Sequence, residues 1–417
     1  MQSVIAIPEF VVSMDQQETT ELLIQPVAGV PLLMRAVVTA TRAGANEILL
    51  ICPAELNENV VQQFVQESRT RYGVQIRAVQ LDDFDPRAWS SWTVVKPYLG
   101  DQFLWMPLNW ITTKNFLTRL PSVDTSSVDW AQPVHVTLRE VNHDISSSTL
   151  PGVRGVAVTS PADIAQAERF LVAHSGKLLD GIHTSFNRRL CRPFVRMLSH
   201  TSITPNAVTF GGVLVSVLSA IAFAQGSYLY SVLGAFLFYI AGLFDEMDGM
   251  LARVKFAESP RGTWLEGFAD GLSYLLLFTG MAFGLSRTWG PIAVWMGIAL
   301  LVGAALSLIT TSLQRKRATT PDRPNEYLGR FYQLLEKDSG NWISRTVRQV
   351  QAFQRRGILI IYIVLFTVIG ALPLVFFLAT LGAHLTWILT LYFNGRFFSQ
   401  PAQSGAKANI NPLKEAL

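Results

Sequence analysis

Hydrophobic positions follow two different rules along this chain. In residues 1 to about 175 they come in short β-rich runs: Val4-Ile5-Ala6-Ile7, then 47–52, 74–79 and 103–106. Between them lie stretches of helical character such as Leu32–Arg42 and 58–69. Strand alternating with helix predicts a mostly parallel, doubly wound α/β domain. Beyond residue 200 the rule changes. Apolar stretches of roughly bilayer-spanning length occur near 207–224, 228–244, 268–286, 290–313, 357–372 and 373–393. The last two are short and divided by Gly370 and Pro373, so one kinked helix is the alternative; six spans are the expectation. The fold class is therefore multi-domain, an α/β domain followed by an all-α six-helix transmembrane bundle.

Composition agrees with a membrane portion. Charged residues make up 15% of the 417 and hydrophobic ones 50%, where a soluble domain carries about 25% charge. The net charge of +4 is modest, and no basic stripe interleaved with aromatics appears, so no nucleic-acid partner is expected. Cys52 and Cys191 have no metal-like spacing. The six histidines, His135, His143, His174, His183, His200 and His384, are scattered and are read as structural or interfacial. Trp289 and Trp387, near span ends, suit interfacial anchoring. The first ten residues lack the grammar of a cleaved signal. Arg253, Lys255, Arg261 and Arg315-Lys316-Arg317 fall in the joints after spans two and four. The bias of basic residues to one side of a membrane then predicts a cytosolic N-terminal domain. Arg188, Arg189, Arg192 and Arg196, interspersed with Leu190, Phe194, Val195 and Leu198, predict an amphipathic interfacial helix.

The chemistry is concentrated where span two ends and span three begins. Asp245 and Asp248 are three apart; Glu266 and Asp270 are four apart. On helices each pair projects from one face, and a turn of about ten residues makes those helices antiparallel neighbours. An ionised carboxylate deep in a bilayer costs on the order of 3 kcal/mol. Four of them together call for cations, and an all-oxygen site suits Mg²⁺ or Mn²⁺. Paired to Arg253 and Lys255 at the water edge, the same acids would be structural.

The run Asp245-x2-Asp248-Gly249-x2-Ala252-Arg253-x8-Gly262-x3-Glu266-x3-Asp270 resembles the signature of the CDP-alcohol phosphotransferase family, D-x2-D-G-x2-A-R-x8-G-x3-D-x3-D. Every spacing and seven of the eight fixed positions match. Thr204-Pro205-Asn206-x2-Thr209 is similar to the family's segment ahead of its first span. The resemblance covers about 177–396. It implies two divalent ions held by Asp245, Asp248, Glu266 and Asp270, with Asp270 also the base that takes the acceptor's proton. Pro205, Asn206, Gly249, Ala252, Arg253 and Gly262 would surround the CDP group. The implied partners are a CDP-linked donor (CDP-diacylglycerol or CDP-inositol-like), an alcohol acceptor, the lipid bilayer and a second copy of the chain. Glu266 departs from the family's Asp, and one added methylene shifts its oxygens by more than the roughly 0.5 Å that catalytic sites tolerate.

Residues 25–33 with 43–48, and Asp163 to Glu168 after Ser160-Pro161, resemble sugar-nucleotide nucleotidyltransferases. Lys177, Asp180-Gly181 and Asn187-Arg188 resemble the junction in bifunctional enzymes that make CDP-inositol and then transfer inositol phosphate. The parts that hold triphosphate and metal are missing. Ile7-Pro8-Glu9-Phe10 replaces a glycine-rich loop, Leu22 and Val30 stand where that family has lysines, and Leu108-Asn109 replaces a Gly-Asp. The expected organisation is a degenerate nucleotidyltransferase-like cytosolic domain (1–175), an interfacial linker (176–203), the transmembrane domain (204–398) and a flexible tail (399–417). The function implied is metal-dependent transfer of a phospho-alcohol group with release of CMP in a cell or inner membrane. A catalytically impaired scaffold and an ion-coupled transporter are the alternatives; against transport, no internal repeat is visible and the acids cluster at one interface.

Overall fold

A computed structural model of the chain describes residues 1–6, 24–52, 62–66, 74–124, 132–137, 154–176, 182–318, 327–350 and 356–398, apart from 63, 82–83, 87, 119, 121 and 339. The expected loop at 7–14, Leu22, most of the helix expected at 58–69, Lys177, Asp180-Gly181, His143, Arg355 and the tail from 399 lie outside the described residues. Two compact units are present, one of 1–205 with 246–259, the other of 206–245 with 260–417.

The first unit is built on a six-stranded sheet in the order β5-β4-β1-β6-β9-β8. Its strands are β1 (Gln2–Ala6), β4 (Glu47–Cys52), β5 (Gln75–Gln80), β6 (Gln102–Pro107), β8 (Ser122–Asp124) and β9 (Val134–Thr137). The pairs β1–β4, β1–β6, β4–β5 and β8–β9 are parallel, and β6–β9 is antiparallel. Side chains of period two feed opposite faces. Ile5, Ile48, Leu50, Leu104 and Met106 meet Leu33, Ala36, Val37 and Ala40 of helix α1 (Leu32–Arg42). Val4, Ala6, Leu49, Ile51, Phe103 and Trp105 meet Trp92 and Val95 of α2 (Trp89–Val95) on the other face. The predicted parallel α/β sheet is therefore present, with an antiparallel junction at β9 that the pattern did not announce.

Between β1 and α1 a small hairpin, β2 (Pro26–Val27) and β3 (Val30–Pro31), turns at Ala28 (φ 49) and Gly29 (φ 74). Two left-handed residues in succession are the signature of a type I′ turn. A Cβ on Gly29 would collide with the main-chain oxygen of Ser199. After the short strands and helices β7 (Trp110–Ile111), α3 (Lys114–Leu117) and β10 (Val156–Ala157) comes α4 (Ile164–Ala173), which contributes the buried Glu168. That carboxylate accepts from the Ala28 N–H at 3.0 Å and from Arg196 Nε at 3.0 Å, with His200 Nε2 also 3.0 Å away. Arg196 belongs to α5 (Ile182–Ser199), the helix expected to be amphipathic. Asn187, Arg188, Cys191, Val195 and Ser199 are buried, while Phe186, Leu190, Phe194 and Met197 form an exposed stripe at helical spacing.

The second unit is helical. Among the described residues five helices are long and apolar enough to cross a membrane: α6 (Pro205–Ala224), α7 (Tyr228–Val254), α8 (Pro260–Trp289), α9 (Pro291–Ala318) and α13 (Leu372–Phe397). The sixth span expected at 357–372 is not confirmed. There α12 (Arg356–Val368) has 13 described residues, fewer than the about 20 that cross a bilayer, and 351–355 ahead of it lie outside the described residues. Gly370, at φ 78, lets the Ala371 N–H return to the Phe366 carbonyl at 2.7 Å, which closes the helix end and starts a separate α13. The core gathers Phe223, Phe238, Leu277, Met281, Leu300, Ile363 and Phe376. Apolar side chains such as Leu218, Trp295, Ile309 and Phe377 point outward. Glycines let backbones meet: Gly280 lies against the Ala220 backbone, and Gly284 against the Phe223 carbonyl. Outside the spans, α10 (Tyr327–Lys337) and α11 (Trp342–Val350) flank Asp338, whose carboxylate receives Arg396 of α13 at 2.7 and 2.8 Å.

Replacing Gly29 by Ala brings both an unfavourable φ and a steric clash. The expected outcome is a loss of about 1–3 kcal/mol, measured as a lower midpoint for unfolding of the first unit. An unchanged midpoint would show that the hairpin docks differently.

Candidate active site

Helices α7 and α8 outlast the apolar stretches that began them. With 27 residues, α7 is about 40 Å long, against a hydrocarbon thickness of about 30 Å. Its final turns carry Asp245, Asp248, Gly249, Ala252 and Arg253. A short turn at 255–259 leads to Pro260, a residue suited to the first position of a helix. The first turns of α8 then carry Gly262, Glu266 and Asp270. All eight motif positions are thus helical, and the i+3 and i+4 spacings hold as expected.

The two helices are neighbours. Phe238 of α7 and Tyr274 of α8 meet edge to face, ring centroids 5.3 Å apart. Asp245 lies seven residues beyond Phe238 and Asp270 four before Tyr274, so both acids sit toward the same end of the hairpin. The approach of α6 beside Asp245 depends on Gly211 and Gly212, where any Cβ would press on the Phe244 ring. Pro205 opens α6, followed by the exposed Asn206.

Asp248 is 3% exposed, and Asp245, Glu266 and Asp270 are half-buried. Asp248 Oδ1 and Asp270 Oδ2 are shielded from water and make no hydrogen bond. Among the described residues no three acidic, imidazole or thiol groups converge closely enough to hold a metal ion. The donor set fits a hard divalent cation in its chemistry, since it is all oxygen, anionic and in part withdrawn from water.

Glu246, the third acid in the last turns of α7, has a different role. It accepts from Arg188 Nε of α5 at 3.0 Å in a pair that is largely buried. Arg253 donates to the Ser175 carbonyl, and the Lys255 ammonium to the carbonyls of Thr201 (2.7 Å) and Ile203 (3.0 Å). The sequence offered no local signal for these partners, because each lies 50 or more positions away.

Other nucleophile chemistry is excluded at the cysteines. Burial pushes the Cys52 thiol up to about 11. At Cys191 burial, helped by the neighbouring Glu246 charge, raises it to about 12. Neither forms appreciable thiolate near neutrality. The histidines whose side chains are described take structural places. His200 faces Glu168, His174 rests on Phe170, and His135 is kept neutral by burial. His384 bridges the Ala299 carbonyl and the Trp387 indole.

Residues 202–392, the helices from α6 into α13, match the family model for CDP-alcohol phosphatidyltransferase and carry a domain of that family. Among curated proteins the chain is similar to the bifunctional IPC transferase and DIPP synthase of Aquifex aeolicus, 24% identical over 250 residues, 60% of this chain and 52% of that protein. It is also similar to the ceramide phosphoethanolamine synthase of Drosophila melanogaster, 32% identical over 127 residues, 29% of this chain and 32% of the relative. A third likeness is to the phosphatidylinositol phosphate synthase of Mycobacterium marinum, 32% identical over 124 residues, 30% of this chain and 49% of the relative. The chain thus spans about half the length of the first and third, and a third of the second. The Aquifex aeolicus alignment is longer than the family match, so it reaches beyond the transferase domain.

Substituting Glu246 by Gln removes a charge partner of the largely buried Arg188. The expected cost is about 1–2 kcal/mol, below the 3–5 kcal/mol of a fully buried pair because Glu246 keeps some contact with water. Thermal unfolding in detergent checks this. No change in midpoint would mean that the pair contributes nothing to the fold.

Proposed function

We propose that this chain is a membrane phosphotransferase that moves a phospho-alcohol group from a CDP-linked donor to an acceptor alcohol, releasing CMP. One observation carries the reading: the family's acid pattern sits on two adjacent helices, just beyond their apolar stretches, with Asp248 withdrawn from water. There the acids are in reach of a water-soluble nucleotide and of a lipid.

Asp245, Asp248, Glu266 and Asp270 would hold two divalent cations, Mg²⁺ or Mn²⁺. When bound, such ions clamp a pyrophosphate and stabilise the charge that develops on it. Gly249, Ala252 and Gly262 keep side-chain bulk away from the nucleotide, and Arg253, Pro205 and Asn206 border it. Asp270 accepts the proton of the acceptor hydroxyl. The freed oxygen bonds to the phosphorus bearing the donor's alcohol, and the bond from that phosphorus to the bridging oxygen breaks. CMP leaves with the electron pair. Donors of the CDP-diacylglycerol or CDP-inositol type fit, with a polyol or its phosphate as acceptor; a relative named phosphatidylinositol phosphate synthase supports that class. Arg188, Arg189 and Arg192 offer positive charge for an anionic acceptor.

The setting follows from the same reading. The exposed apolar stripe of α5 suits a helix lying in the membrane interface, with the α/β domain on the cytosolic side and the chain working as a homodimer. That domain, with Leu22 and Val30 in place of the lysines of the family it resembles and without its phosphate cradle and metal acid, makes no CDP-alcohol of its own. Glu266 is the observation that favours a second reading, a scaffold that has lost its chemistry, and one assay separates the two.

In detergent with Mn²⁺ and CDP-diacylglycerol or CDP-inositol plus labelled polyol acceptors, the wild-type chain is expected to release CMP. Asp245→Asn and Asp248→Asn are each expected to lose at least about a hundredfold in rate, or roughly 2.7 kcal/mol of transition-state stabilisation. Glu266→Gln should be equally inactive, and Glu266→Asp about tenfold slower, roughly 1.4 kcal/mol, with lower apparent metal affinity. Near-normal turnover in either Asn variant overturns the ligand assignment. A Glu266→Asp chain that exceeds wild type supports the decayed scaffold.

A further inference from the structure

The segment Glu246–Ser259, which holds half of the motif, belongs to the same compact unit as the α/β domain. Its end is unusual. Phe256 has φ 55, a left-handed conformation that glycine takes freely and a bulky side chain rarely adopts. The Ala257 N–H returns to the Ala252 carbonyl at 2.8 Å, so the reversal that ends α7 is complete despite the wrong residue type. Something must hold Phe256 there.

Helix α1 supplies it. Arg35 and Arg42, seven residues apart and so on one helix face, place their guanidinium groups over the Phe256 ring at 4.9 and 4.8 Å. Arg35 is only 2% exposed, rare for a charged residue. Its Nη2 donates to the Val254 carbonyl at 3.0 Å, an orphan acceptor at the C-terminus of α7, and to Val27 of the β2–β3 hairpin at 2.7 Å. Arg42 donates to the Phe256 carbonyl at 3.3 Å and pairs with Glu258. Val30, Met34 and Val38 complete an apolar seat for the ring. Arg253 and Lys255 are tied to carbonyls of the same unit.

We propose that the α/β domain is a positioning clamp for the transfer site. Arg35 and Arg42 grip Phe256 and the last carbonyl of α7, and so fix the helical turns that present Asp248, Gly249, Ala252 and Arg253. The proposal rests on the transferase reading of those residues. It gives a domain without phosphate-binding parts a role in the reaction, with Arg35, Arg42 and Phe256 acting as positioning residues.

The test uses the full chain in detergent and two readouts, CMP release against Mn²⁺ concentration and the rate of trypsin cleavage after Arg253 and Lys255. Phe256→Gly is the decisive variant, because it suits the left-handed backbone while removing the ring. A residue that merely capped the helix would be replaced by Gly without loss. The clamp expects kcat to fall about tenfold with donor KM within twofold, half-saturation at higher Mn²⁺, and cleavage about tenfold faster. Phe256→Tyr, which keeps the ring, should stay within twofold of wild type in every readout. Should Phe256→Gly fail to fold, Arg42→Gln on the partly exposed arm of the grip should still slow turnover about threefold and hasten cleavage. Wild-type turnover in Phe256→Gly, or in Arg42→Gln if that variant has to serve, overturns the clamp and leaves the transferase reading standing. If the wild-type chain releases no CMP, the transferase reading fails; faster cleavage in the variants then still supports the clamp, and unchanged cleavage overturns it.

Discussion

A carboxylate withdrawn from water must find positive charge or become neutral, and this chain buries one, Asp248, near the end of α7, with Asp245, Glu266 and Asp270 half-buried on α7 and α8. The rest of the architecture can be read as an answer to that requirement. Spans α7 and α8 are long enough to carry their acids past the apolar stretch, and the glycines of α6 and α8 let the helices close in beneath them. Arg188 pairs with Glu246, while Asp245, Asp248, Glu266 and Asp270 are the acids proposed to hold cations.

The same logic operates in the α/β unit with opposite sign. Glu168 is a buried anion satisfied by a main-chain N–H and an arginine, with a histidine beside it; Arg35 is a buried cation satisfied by two carbonyls and an aromatic face. Both use the small β2–β3 hairpin, whose tight turn depends on Gly29. The hairpin lies in the stretch that resembles a nucleotidyltransferase, yet here it makes protein contacts.

Much of this was legible in the residue pattern, for physical reasons. Short β-rich runs identified β1, β4, β5 and β6, and in β1, β4 and β6 the run is continuous because both faces of the sheet are covered. The i+3 and i+4 spacing of the acids survived because it is a property of helices that propensity and apolar context both favour. Where the pattern failed, local chemistry was silent. At 357–372 Gly370 was visible as a division between two short stretches, but not that it takes a left-handed conformation at the end of a helix with 13 described residues. Antiparallel β9 depends on pairing across a long excursion. Nothing near Glu246 in the chain marks Arg188 as its partner, and nothing near Phe256 marks Arg35 and Arg42, since these contacts span 58 and more than 200 positions.

The central claim is that the four acids at 245, 248, 266 and 270 exist to hold divalent cations, and binding tests it more directly than turnover. Equilibrium titration of the purified, chelator-treated chain with Mn²⁺, followed by the paramagnetic signal of the free ion, counts the sites without reference to any substrate. The account expects two ions per chain in the wild type and loss of at least one in Asp248→Asn, while Glu246→Gln keeps both. Equal Mn²⁺ binding by wild type and Asp248→Asn, or none by either, would contradict it.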